Sequence, residues 1–262
     1  RRGELVAPEA QIEGLPDLPL WLAVADSQGG IGHILALAVD NALAERGLPT
    51  RAVTVLTHAE VDPADPAFAD PTKPIGSTMT ADVARLRVAE AGWTVAETSD
   101  GVFRRVVSSP RPRDVLESAQ IAALAATGAV VVAGGGGGIP VARDDNGWHS
   151  VDAVIDKDRL SALLAGRIGL RTLVLVTGVD QVFVGFGTDR QRALDTIDED
   201  EARAHLAAGE FPAGSMGPKI ESALDFLAAG GREALITSIP ALPDALRGRS
   251  GTRITRRSDA TT

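Results

Sequence analysis

The chain has 262 residues, enough for one large α/β domain or two smaller lobes. Its hydrophobic content of 44% supports a sizeable core, and with aromatics at only 3% that core must be built from small aliphatic side chains. A net charge of −9 excludes the basic footprint of a general nucleic-acid binder, and the absence of cysteine excludes disulfides, Cys-based zinc sites and thiol nucleophiles.

In chain order, residues 1–19 are polar and proline-bearing, without the apolar core of a signal peptide. Leu20 to Ala25 reads as a short strand or lead-in, and Ser27 as the cap of a helix over 30–46 that Gly47 ends. Arg51 to Thr57 reads as a strand. Residues 58–76 are rich in proline and aspartate and read as an exposed loop. A helix over 80–91 follows, then two short strands, 93–97 and 102–107, about an Asp100-Gly101 turn. The stretch 58–107 is expected to be a small protruding subdomain inserted between core strands.

Beyond Pro110 and Pro112 the α/β alternation is clear. A helix over 114–126 leads to a strand over 129–133 and five consecutive glycines, Gly134 to Gly138. A strand over 151–155 leads to a helix over 157–167, and a strand over 172–177 to helices over 199–208 and 217–229. Strand 233–237, a short helix 240–246 and strand 252–255 close the pattern. The all-apolar strands suit a parallel sheet covered on both faces. His33, His58, His149 and His205 lack metal-ligand spacing, so no protein metal site is expected. No apolar run reaches the roughly 20 residues of a membrane span. The protein is read as cytoplasmic, with neither a membrane nor a nucleic-acid partner.

Only three lysines occur, Lys73, Lys157 and Lys219, against 23 arginines. Arginine is a rigid planar fork, whereas lysine is a compact charge on a flexible stem that can follow a phosphoryl group between two oxygens. Their contexts matter more than their number. Asp156-Lys157-Asp158 stands at a strand-to-helix junction, where free N–H groups and the helix dipole favour an anion. An ordinary capping pair with a solvated lysine is the other reading of these residues. In Gly214-Ser215-Met216-Gly217-Pro218-Lys219 a glycine-rich loop opens a helix, and the dipole disfavours a cation there. Lys219 therefore needs a compensating anion, which a bound phosphate would supply, and as a helix-start residue it is expected to contribute little packing. Lys73, in Thr72-Lys73-Pro74-Ile75-Gly76, taken alone is a solvated loop residue. The glycine run lies at the carboxyl end of a parallel strand, where α/β sheets bind ligands, although a plain flexible turn would look the same.

These motifs, in this order, resemble those of the carbamate kinases, within the amino acid kinase superfamily. The matching strings are SQGGIGH (27–33), DPTKPIG (70–76), RRVVSSPRP (104–112), AGGGGGIPV (133–141), VDAVIDKDRLSALLA (151–165), FPAGSMGPKIESALDFL (211–227) and GTRI (251–254). The resemblance implies an αβα sandwich around a mainly parallel sheet. It also implies an N-terminal substrate lobe (1–165) with the protruding subdomain, and a C-terminal nucleotide-binding lobe (166–262). The implied reaction is reversible phosphoryl transfer between ATP and carbamate, giving ADP and carbamoyl phosphate, with Mg²⁺, in a homodimer serving arginine catabolism. On the matching positions, Lys157 and Lys219 resemble the lysines that stabilise the transferring group, and Asp158 resembles the acid that organises them. Lys73 resembles the subdomain lysine that reaches the site. Gly135, Gly136 and Gly137 would face the small substrate; Thr177, Gly178, Val179, Asp180, Met216 and Gly217 would lie near the nucleotide. Family members also carry a Gly-Gly-Asn-Ala loop and a His-Gly-Asn-Gly-Pro-Gln loop near the N-terminus, and neither string occurs in this sequence. The alternative expectation is a non-catalytic nucleotide-binding homologue lacking those phosphate loops. Glutamate or uridylate kinase is a weaker alternative, disfavoured by the DPTKPIG segment.

Overall fold

The computed structural model describes residues 18–212 and 216–257. The N-terminal stretch and Gly214-Ser215 lie outside the described residues. The chain divides into two compact units, one of residues 1–117 and 124–156, the other of residues 118–123 and 157–262. The division falls at the start of a helix at Lys157, where the sequence suggested residue 165.

In the first unit, α1 (Leu20–Glu45) is one continuous helix. The expected break at Ser27 does not occur, because its hydroxyl donates to the Val24 carbonyl one turn back and so cannot cap. By length and composition α1 is apolar enough to cross a membrane, with a mean hydropathy of 1.3 in its most apolar window, where no such run was expected. It packs on β1 (Ala52–Thr54), where Thr54 Oγ1 donates to the Gly32 carbonyl at 2.9 Å.

The expected loop over 58–76 is largely regular structure. Within it, β2 (His58–Val61) buries Ala59 and Val61 on one face, and β3 (Lys73–Thr80) begins at the lysine itself. Proline misled the reading, because Pro74 sits on the edge strand of its sheet, where a missing N–H costs no ladder bond. After α2 (Ala81–Ala91), β4 (Val95–Ser99) and β5 (Val102–Val107) complete a three-stranded antiparallel sheet, β3-β5-β4. Trp93 stands beside it with Arg87 and Arg105 over its ring. The inserted piece therefore starts at Lys73, since β2 belongs to a different sheet.

The expected helix over 114–126 is a strand followed by a shorter helix, β6 (Pro112–Val115) and α3 (Ser118–Ala126). Pairing of β6 with β2 buries Val115 beside Ala59 and overrides the local helical pattern. The strands β7 (Val130–Val132), β8 (Ile139–Asp144) and β9 (Gly147–Ser150) follow. β7 pairs in parallel with β1, and β2 joins β8 in a four-stranded sheet of order β6-β2-β8-β9. Residues 151–155 are not a strand. Ala153 and Ile155 are fully buried, but the segment makes isolated bonds to Pro140 and Ser108 and no ladder.

The second unit opens with α4 (Lys157–Arg167) and β10 (Thr172–Thr177). Three short strands the sequence did not announce follow: β11 (Val182–Val184), β12 (Arg192–Leu194) and β13 (Thr196–Asp198). Next, α5 (Glu199–Ala207) starts at a capping box of Asp198 and Glu201. α6 (Met216–Ala228), β14 (Glu233–Ser238), α7 (Leu242–Leu246) and β15 (Thr252–Thr255) complete it. The sheet order is β10-β14-β15-β13, parallel between β10 and β14 and between β13 and β15. Its core joins Leu173, Leu175, Leu194, Phe226, Ile236 and Ile254. The helices and parallel pairs give the expected α/β class, and antiparallel pairs contribute to the sheets of both units.

Candidate active site

In the first unit three sequence-distant motifs meet at the end of the 151–156 segment. The glycine turn leaves β7, folds back through Gly137 and Gly138 N–H bonds to the Gly134 carbonyl, and enters β8. Gly137 has φ of +143, and a Cβ there would lie 2.0 Å from the Ile155 carbonyl oxygen, so only glycine fits. Gly136 is different: it is exposed, and a Cβ would meet nothing within 4 Å. Packing gives no reason for glycine at 136, whereas close approach of a ligand to the backbone would. Next to Ile155, Asp156 accepts from Lys73 Nζ at 2.8 Å, with side-chain exposures of 15% and 25%. Lys73 is thus a half-buried, paired cation rather than a solvated loop residue.

In the second unit Asp158 lies in the first turn of α4 and Lys219 in the first turn of α6, and the two helices pack together. Lys219 Nζ donates to Asp158 Oδ2 at 2.7 Å, and both residues are 7% exposed. Lys157 Nζ lies 3.5 Å from the same oxygen on a side chain 58% exposed. The compensating anion that Lys219 was expected to need is therefore this carboxylate. The expectation that Lys219 contributes little packing is also corrected, since it is a buried partner of a buried charge. Arg159 pairs with Glu221 at 2.9 Å and ties the same two helices beside it.

The arithmetic of this cluster is chemical. Two ammonium groups share one carboxylate, leaving a net positive charge where two helix amino ends add their dipoles. One ammonium is buried and the other is exposed to solvent. Such a pair suits a ligand whose negative charge shifts position during reaction.

Of the predicted nucleotide residues, Thr177 ends β10 in register with Ser238, and Asp180 Oδ1 accepts from Ser238 Oγ at 2.5 Å. Gly178 and Asp180 are exposed, and Val179 and Thr177 half-buried. Gly217 donates its N–H to the Pro212 carbonyl at 2.9 Å, beside Met216. Pro212 also lines a cavity of about 480 Å³ with Val184, Gly185, Phe186, Arg190 and Glu210. Glu210 fixes that wall by accepting from the Gly185 N–H at 2.7 Å. The sequence reading missed this cavity, and it missed the pairing of Asp156 with Lys73, 83 residues away.

The amino acid kinase family model matches residues 22–238. The chain is 48% identical over 245 residues to carbamate kinase-like protein YahI of Escherichia coli (strain K12), covering 92% of this chain and 77% of that protein. It is 42% identical over 240 residues to carbamate kinase 3 of Staphylococcus aureus (strain USA300), covering 91% and 78%. Among solved structures, carbamate kinase from Giardia lamblia bound to AMP-PNP superposes with a TM-score of 0.84 at 38% identity, covering 94% of this chain and 78% of that one.

Proposed function

This chain belongs to the amino acid kinase family, in its carbamate kinase branch, and we propose that it catalyses reversible phosphoryl transfer between ATP and carbamate, giving ADP and carbamoyl phosphate. A carbamate oxygen bonds to the γ-phosphorus as the bond from that phosphorus to the departing ADP oxygen breaks; the reverse direction makes ATP. The observation that carries the reading is the carboxylate of Asp158 shared by Lys219 and Lys157.

Catalysis here is positioning plus electrostatics, because phosphoryl transfer gives the protein little covalent work to do. Lys219, buried, and Lys157, exposed, neutralise the charge on the oxygens of the group in transit. Asp158 holds the first and tethers the second. Lys73, Gly135, Gly136 and Gly137 take the small anionic substrate. Thr177, Gly178, Val179, Asp180, Met216 and Gly217 take the nucleotide, with the 480 Å³ cavity offering room for its bulk. No group of three or more His, Asp or Glu side chains among the described residues is placed to hold a metal. Mg²⁺ would accompany the nucleotide, where it would offset phosphate charge, as this hard ion commonly does.

We place the enzyme in the cytoplasm, in arginine breakdown, as a homodimer. The exposed row Ile31, Ile34, Leu35 and Leu37 on α1 supports a second copy as partner. The non-catalytic alternative is not favoured, because every lysine and acid the chemistry needs is present and paired. The test is a coupled assay of ATP formation from carbamoyl phosphate and ADP. Turnover within the roughly 1–100 s⁻¹ range of kinases, abolished by Lys219→Ala, is expected. Turnover unchanged in Lys219→Ala would reject the assigned role.

A further inference from the structure

The glycine turn is held from behind by two buried polar side chains that the mechanism above does not use. Gln28, on α1, is 4% exposed. Its Oε1 accepts from the Thr57 N–H at 3.0 Å, and its Nε2 donates to the Thr57 carbonyl at 3.1 Å. Thr57 is fully buried; its hydroxyl donates to the Val55 carbonyl at 2.9 Å and accepts the Gly134 N–H at 2.8 Å. The Thr57 carbonyl also accepts from Ile139 N–H at 2.8 Å, at the other end of the turn. The Gln28 stem then fills the space beside the turn itself. A Cβ on Gly135, whose φ is +47, would lie 2.3 Å from Gln28 Cγ.

An apolar side chain would fill that volume without the cost of desolvating an amide, so packing alone does not call for glutamine. What the amide adds is geometry, because a side chain that satisfies both the N–H and the C=O of one residue fixes that residue in all directions. Thr57 passes the constraint to Gly134 through its hydroxyl and to Ile139 through its carbonyl. Between those anchors the N–H groups of Gly135 and Gly136 have no acceptor among the described residues.

We propose that Gln28 and Thr57 are positioning residues that aim the Gly135 and Gly136 N–H groups at the anionic end of the small substrate. The inference rests on the reading that this turn receives carbamate or carbamoyl phosphate. Neither side chain touches the substrate; both act through the turn.

The experiment compares Gln28→Met and Thr57→Val with the parent and with Thr57→Ser, which keeps the hydroxyl. Steady-state kinetics are measured for carbamoyl phosphate and ADP separately, and amide exchange of Gly134, Gly137 and Gly138 is followed by NMR. Gln28→Met and Thr57→Val are expected to raise KM for carbamoyl phosphate about tenfold or more, the scale of one buried hydrogen bond lost, with KM for ADP unchanged. Exchange at the three glycines should quicken while that of β10 and β14 does not. Thr57→Ser should stay close to the parent. Unchanged kinetics with unchanged exchange overturn the proposal. So does a uniform loss in both substrates that follows the melting temperature, which marks a merely structural role. If the parent itself makes no ATP, the functional reading fails. The exchange data then decide only whether Gln28 and Thr57 hold the turn: local quickening shows that they do, and unaltered exchange overturns the proposal on its own ground.

Discussion

Two aspartates stand one residue apart in the chain, on either side of Lys157, and the two pairs they form are physically unlike. Asp158 is buried and bonds a buried lysine on a packed neighbouring helix. Asp156 meets Lys73, on a strand of the small antiparallel sheet, with both side chains partly in solvent. A buried pair is strongly destabilising to break, because removing one partner strands the other charge out of water. A partly exposed pair is screened and contributes little to stability. The same chemistry therefore yields a fixed cation in one unit and a releasable one in the other. Only the releasable one can leave its aspartate for a substrate at modest cost.

The largest effect that separates the pairs is on stability. Asp158→Ala should cost about 3–5 kcal/mol in denaturant unfolding, against about 1 kcal/mol for Asp156→Ala. Equal losses would erase the distinction. Replacing both members of the buried pair, Asp158→Leu with Lys219→Met, should recover most of that stability while leaving no turnover. Recovered turnover in the double variant would show that the charges serve only the fold.

A smaller effect on stability accompanies a large one on rate at Lys157. Its exposure predicts that Lys157→Ala unfolds within about 0.5 kcal/mol of the parent, yet loses about 10²–10³ in kcat as one transition-state partner goes. A fall in stability without a fall in rate would reverse the assignment. The smallest expected effect is at Lys73. Lys73→Ala should lower turnover and leave ADP affinity, measured by calorimetry, within twofold or so, as a residue confined to the small substrate would. An equal loss of ADP affinity would move Lys73 to the nucleotide.

The residues of the Asp158 cluster were more legible in the sequence than the packing that joins them. Lys157, Asp158 and Lys219 stand out because lysine is rare here and each marks a helix start, a local signal. That Asp158 serves both lysines follows from α4 packing on α6, which periodicity does not reveal. Asp156 and Lys73 were readable as residues but not as a pair, since nothing local connects them. The stretch 58–76 was misread because proline weighs against strands in general, while Pro74 occupies the one kind of strand, an edge, that tolerates it. Residues 151–155 were misread for the opposite reason. Their apolar run signals burial, and burial here comes without a ladder. Gln28 lies in a matching string, but nothing there marks it as buried, since a buried amide and a solvated one look alike in a helical pattern; Thr57 carries no local signal at all.

One experiment reaches the proposed role of the lysines gathered on Asp158, which is to carry phosphate between a carbamoyl oxygen and ADP. Phosphorus NMR of the parent with carbamoyl phosphate, ADP and Mg²⁺ tests it most directly. The carbamoyl phosphate signal should decay as the γ-phosphate signal of ATP grows in equal amount, and the double variant Lys157→Ala, Lys219→Ala should show no γ-phosphate growth. Inorganic phosphate appearing in place of ATP, or γ-phosphate growth at the parent's rate in the double variant, would contradict it.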